Sequence, residues 1–246
     1  MTDLFVVRNG LDEIGDEVSK IAEIIVRTAK WVHPDTFHAL PVWYPETARK
    51  LPLYDARWEA VYKNTNKLTA LVTDKVEPNI KAGKAFIAAL GARKTDNWAV
   101  CHIWGVDDPK FQRNNKVVCD RRYYSCVANM VWLPTPLKGF TDCVPEIKRM
   151  LRTCCFYLYG WACEHADVKD QAAEILTGSI PHGYPNEWPA PGRSCLPPGT
   201  APFNDRVKKA IQKRKNELRD MLTDESLVNF PRKEVRDVLE SWKIQL

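Results

Sequence analysis

The sequence has no apolar run near the roughly 18 residues needed to cross a bilayer. Its opening stretch, Met1 to Gly10, is polar and mixed, without the apolar core of a secretory leader. These two absences lead us to expect a soluble, cytoplasmic protein with reduced thiols and no membrane partner. None of the eight cysteines (101, 119, 126, 143, 154, 155, 163 and 195) stands in C-x-x-C spacing, so no structural zinc is expected. Cys163 and His165 lie close together, but His182 and Cys195 follow only at loose spacing. Most of these cysteines read as small buried apolar residues. There is no G-x-x-x-x-G-K-[ST] loop and no G-x-G-x-x-G turn, so no nucleotide cofactor is expected. Gly192-Arg-Ser-Cys195 lacks the glycine that follows the serine of a nucleophile elbow. Internal repeats and low-complexity tracts are also absent.

What is present suits a globular chain. Apolar residues make up 45% and charged residues 27% of 246 positions, enough to build a sizeable core. The 17 prolines fix many turns, and the 9 tryptophans supply large flat contact surfaces. A net charge of +5 permits phosphate binding without demanding it.

Apolar spacing predicts an amphipathic helix over Leu11–Trp31, with Ile14, Val18, Ile21, Ile24, Ile25 and Thr28 on one face. Prolines 34, 41, 45 and 52 then mark a loop-rich stretch holding Arg49, Lys50 and Arg57 among aromatics, with a short helix after Pro45. Thr65–Asp74 reads equally as strand or short helix. A helix is expected over Pro78–Leu90, with Ile80, Ala85, Phe86 and Ala89 inward and Gly91 ending it. Short strands are expected at Asn97–Trp104, Lys116–Asp120 and Asn129–Leu133. Asp142 then reads as the cap of a helix opening with Pro145 and closing near Gly160. An extended Pro/Gly connector spans 181–202, a basic helix capped by Asn204 follows, and Pro231 starts the last helix.

The chemistry-bearing segment is Trp98 to Asp142. It reads W-A-V-C-H-I-W-G, a polar stretch, then Y-S-C-V-A-N-M-V-W-L-P-T-P-L-K-G-F-T-D. His102 ends a short strand, and Asn129 opens another 27 residues later, before a turn and a helix. Phosphodiester hydrolysis needs a base to activate water, and a neutral imidazole suits that task near pH 7. It also needs a divalent cation to neutralise charge on the phosphate and leaving oxygen.

Cys101-His102-Ile103, Asn129-Met-Val-Trp-Leu-Pro134 and Leu137-Lys-Gly-Phe-Thr-Asp142 together resemble the ββα-metal motif of HNH-like, His-Me finger nucleases. The likeness covers about 45 of 246 residues. It implies an α+β fold, a mostly helical chain around a small ββα core at 96–165, flanked by 1–95, a helical and loop region open to a role in DNA recognition, and by 166–246, a Pro-rich connector plus basic helices. It implies a type II restriction-type endonuclease that cleaves double-stranded DNA as a homodimer. His102 would be the general base and Asn129 the central residue, orienting His102 or binding magnesium, for which manganese can substitute. One magnesium per site would be held by Asn129, with a carboxylate from Asp142 or Asp120.

Two departures stand out. Cys101 and Lys138 occupy positions where the family often has a metal-binding aspartate and histidine. They motivate the alternative of a nucleic-acid-binding protein with a degenerate, non-cleaving finger. A mobile-element or toxin-like nuclease and a plain structural role for His102 are further readings. Backbone contact is expected from Arg121, Arg122, Lys138, Arg206, Lys209, Lys213 and Arg214, against the plainer reading of solvated basic faces.

Overall fold

A computed structural model describes residues 9–52, 61–105 and 115–246. Among them the fold is α+β, with helices dominant and two separate two-stranded antiparallel sheets. Arg57, Trp58, Asp107 and Asp108 lie outside the described residues.

Asn9 accepts from the Leu11 amide and caps α1 (Gly10–Glu13); a 3-10 turn (Gly15–Glu17) separates it from α2 (Val18–Thr28). The continuous helix expected over Leu11–Trp31 is therefore broken at Ile14–Gly15, where glycine is a poor helix former. Ile21, Ala22, Ile25 and Val26 form the buried stripe of α2, while Ile24 faces outward. Helix α3 (Pro34–Ala39) starts on a proline and is capped by His33. The helix expected after Pro45 does not form, because this stretch is tied to the distant Ser125: its carbonyl accepts from the Trp43 amide and its Oγ from the Tyr44 amide.

Strands β1 (Lys63–Thr65) and β2 (Val72–Asp74) pair antiparallel, which resolves the ambiguous stretch as a hairpin. Helix α4 (Ile80–Ala89) buries Ala82, Ala85, Phe86 and Ala89. Ile80, expected inward, is exposed at its first turn. Gly91 leaves the helix in the left-handed region, φ 63°.

Strands β3 (Trp98–His102) and β4 (Met130–Pro134) pair antiparallel from Trp98↔Pro134 to His102↔Met130. The strand expected at Lys116–Asp120 is instead a 3-10 turn (Val117–Cys119) leading into α5 (Arg121–Tyr124). Asp120 explains the difference, since its carboxylate accepts from the Arg122 amide and so nucleates a helical turn. After β4 come α6 (Lys138–Cys143) and α7 (Pro145–Tyr159). Asp142, expected as a cap, lies inside α6; Val144 holds the cap position of α7, with Pro145 in its first turn. Gly160 closes α7 in the left-handed conformation. A further helix, α8 (Lys169–Leu176), precedes the connector.

The connector is extended but packed. Trp188 and Tyr184 are buried, and Trp31 exchanges backbone hydrogen bonds with Gly199 and Ala201. Gly199 sits at φ +79°, and a side chain there would run into the Ala29 carbonyl. Helix α9 (Asp205–Thr223) is capped by Asn204, and α10 (Arg232–Ser241) follows Pro231. One continuous apolar core runs from Ile21 to Val238, drawing on all three segments expected as separate regions. Leu227, Phe230, Val235 and Leu239 form a small second cluster near the C-terminus. No helix of the described residues is long and apolar enough to cross a membrane.

Candidate functional site

The segment from β3 to α6 brings His102 into a defined setting. The imidazole Nε2 lies 2.9 Å from the backbone oxygen of Tyr124. A carbonyl can only accept, so the ring proton sits on Nε2 and Nδ1 keeps its lone pair. The ring also stacks on the Tyr124 ring, with centroids 5.9 Å apart. Burial among packed neighbours pushes the His102 pKa down to about 4, the Tyr124 bond opposes this, and the positive charges of Arg49 and Lys138 add to it. His102 is thus a neutral acceptor at pH 7.

Asn129 is fully buried and uses both ends of its amide. Its Oδ1 accepts from the Trp104 amide at 2.7 Å, and its Nδ2 donates to the Tyr123 carbonyl at 3.1 Å. It therefore braces two backbone points that flank the histidine: the exit of β3, and the residue before the one that receives the His102 proton. In addition, the Ile103 amide donates to the Asn129 carbonyl at 2.9 Å. Tyr124 is held in turn by Glu77, whose Oε1 accepts from the tyrosine hydroxyl at 2.7 Å and from the Lys81 amide at 3.0 Å. The other Glu77 oxygen is buried and has no hydrogen-bond partner among the described residues. Tyr124 opens the Y-S-C-V-A-N stretch, whose pattern gives it no role, and Glu77 stands in no motif; their roles became visible only through contacts between distant segments.

Asp142 and Lys138 form an ion pair one turn apart on α6, and both charges act on His102. As a magnesium ligand Asn129 does not fit, because its amide oxygen is buried and already engaged. Asp142 does fit: its carboxylate is partly exposed, and magnesium is commonly held by one or two carboxylates plus water and phosphate oxygens. Among the described residues no three His, Cys, Asp or Glu side chains come together. Asp120 turns elsewhere: it grips Arg122 and lines an open cavity of about 380 Å³ with Glu234, Asp237 and Ser241 of α10.

The basic residues expected at phosphates are scattered. Arg121 donates to the Glu46 carbonyl, and Arg122 pairs with Asp120 and lies over the Tyr123 ring. Arg206, Lys209 and Lys213 are exposed on α9. Arg214 points inward. Its guanidinium meets both Glu46 oxygens at 2.6 and 2.7 Å, donates to the Trp43 carbonyl at 2.6 Å and covers the Tyr44 ring. With 6% of its surface exposed it holds α9 to the core and is withdrawn from any external phosphate. Burial pushes the Cys126 and Cys163 thiols up to about 12, disfavouring the thiolate.

Comparisons with family models, with curated proteins and with solved structures find no match to this chain.

Proposed function

We propose that this chain is a metal-dependent endonuclease acting on double-stranded DNA, with His102 as the general base. One observation carries the reading. The imidazole is neutral, its Nε2 proton is committed to the Tyr124 carbonyl, Nδ1 keeps its lone pair, and the charges of Lys138 and Asp142 act on the ring. In this reading His102 Nδ1 takes the proton from the attacking water. Asn129 is a positioning residue that fixes the backbone on both sides of the histidine. Asp142 is the carboxylate that would hold magnesium, which when bound supplies charge neutralisation at the phosphate. Exposed Lys209 and Lys213 are available to the DNA backbone. The restriction-type role and the two-fold dimer belong to the same proposal, since cutting both strands calls for two sites.

A second reading has a specific support. The Asp142 carboxylate is neutralised by Lys138, and Asn129 is sequestered, which suits a finger that binds without cutting. Plasmid cleavage in magnesium, and again in manganese, separates the two. The nuclease reading expects discrete fragments from the native chain and a loss of about a hundredfold or more in His102→Ala. Binding without cleavage in either metal leaves the second reading standing.

A further inference from the structure

Among the described residues, none of the β1–β2 strand residues belongs to the core. All six strand residues are exposed on both faces. Of the eleven large apolar side chains exposed among the described residues, six (Tyr62, Leu68, Leu71, Val72, Val76 and Ile80) fall between 62 and 80. A two-stranded hairpin standing alone is marginal in water, so a chain that keeps one projecting points to something outside that it meets.

Its two faces differ in charge. The register pairs Lys63 with Asp74 and Thr65 with Val72 on one face, where the lysine and aspartate form an ion pair. The other face carries Asn64 opposite Thr73, continued at the base by Tyr62 and Lys75, whose backbones bond at 2.7 Å. At the tip, the Asn66 side chain accepts from the Leu68 and Thr69 amides and shapes the turn, leaving Lys67 and Leu68 outermost. The second face therefore presents Tyr62, Asn64, Asn66, Thr73 and Lys75, none of them acidic, with the exposed Leu71 opposite Asn66 at the turn end. The only carboxylate of the hairpin is neutralised on the opposite face.

Resting on the reading of this chain as acting on DNA, we infer that the hairpin is a DNA-contacting β-ribbon. A two-stranded ribbon fits the major groove, about 12 Å wide, and an asparagine can pair bidentately with adenine. Lys67 and Lys75 contact phosphates on either side, and Asn64 with Thr73 faces the base edges. Charge selects the occupant: Asp74 is taken up by Lys63, and Lys67 and Lys75 leave the hairpin with net positive charge, which suits a polyanion.

The test is binding of the full chain to a fluorescent mixed-sequence duplex in EDTA, over a salt series. Lys67→Ala/Lys75→Ala is compared with a control pair on exposed sites away from the hairpin, Lys169→Ala/Lys233→Ala. The expected result is a slope of log affinity against log salt reduced by about 2, with binding about tenfold weaker, in the hairpin pair alone. Unchanged binding by the hairpin pair, or an equal loss in the control, overturns the inference while leaving the nuclease reading intact. A hairpin pair that changes only self-association in sedimentation also overturns it, assigning the arm to dimer contact. No binding by the native chain removes both this inference and the reading beneath it.

Discussion

The histidine and the asparagine differ in what they were expected to do and in what surrounds them. With its pKa held near 4, His102 stays neutral well below the value of 6.5 usual for histidine. For a base that must be unprotonated, the acid limb of kcat/KM then falls between pH 4 and 5, and a limb near 6.5 would mean the ring is not buried in solution. Stability carries the same sign. Between about pH 6.5 and 4 the unfolded chain binds a proton at this position that the folded chain does not, so His102 makes the protein less stable as pH falls through that window. In His102→Gln the thermal midpoint should fall less steeply over this range. Asn129→Ala takes from the buried Trp104 amide its acceptor, a cost of about 1–3 kcal/mol, while the Tyr123 carbonyl loses one donor and keeps the Cys126 amide. A clear drop in urea midpoint is expected, together with loss of cleavage although His102 is untouched. The sequence pointed to His102 and Asn129 through their types and spacing. It gave no sign that the asparagine amide bonds two backbone groups, because both of its partners come from segments joined only by folding.

Among the elements, local signals were readable where they are short in range. Asn204 before α9, Pro145 in the first turn of α7 and Gly160 after it each act within one turn, and each lies where a cap, a starter or a terminator was expected. Lys116–Asp120 failed as a strand because a side chain two residues ahead of an amide captured it, a competition that apolar patterning does not encode. Helix α9 shows the other limit. Its apolar residues Val207, Ile211 and Leu218 turn inward as expected, but Arg214 falls on the same face and turns in with them. Removing one partner of a buried pair strands the other, which costs about 3–5 kcal/mol. Arg214→Ala is therefore expected to destabilise strongly, whereas the double variant Arg214→Met/Glu46→Leu is expected to recover much of that loss. Denaturant titration of the two proteins measures it; equal destabilisation would mean that the pair itself holds the helix.

For the whole molecule, the expected division at 95 and 165 does not correspond to separate cores. Ile21, Val127, Leu151 and Val207 belong to one apolar cluster, and the connector threads Trp188 into it. Unfolding should accordingly be a single cooperative transition, with calorimetric and van't Hoff enthalpies in agreement. A fragment of residues 96–165 made alone should lack a fixed tertiary structure, which loss of near-ultraviolet dichroism would report. The residues from Trp98 to Asp142 were legible as a unit because they are contiguous in sequence, while their packing partners are not.

The contact between Arg214 and the Trp43 carbonyl joins positions 171 residues apart. A ribosome adding about 5–20 residues each second needs roughly 10 to 30 seconds to cover that interval. Throughout it Trp43, Glu46 and their neighbours wait as an incomplete surface, which α9 closes only after it has emerged. Slow or interrupted translation between Glu46 and Arg214 would therefore leave the earlier part exposed to chaperones and proteases.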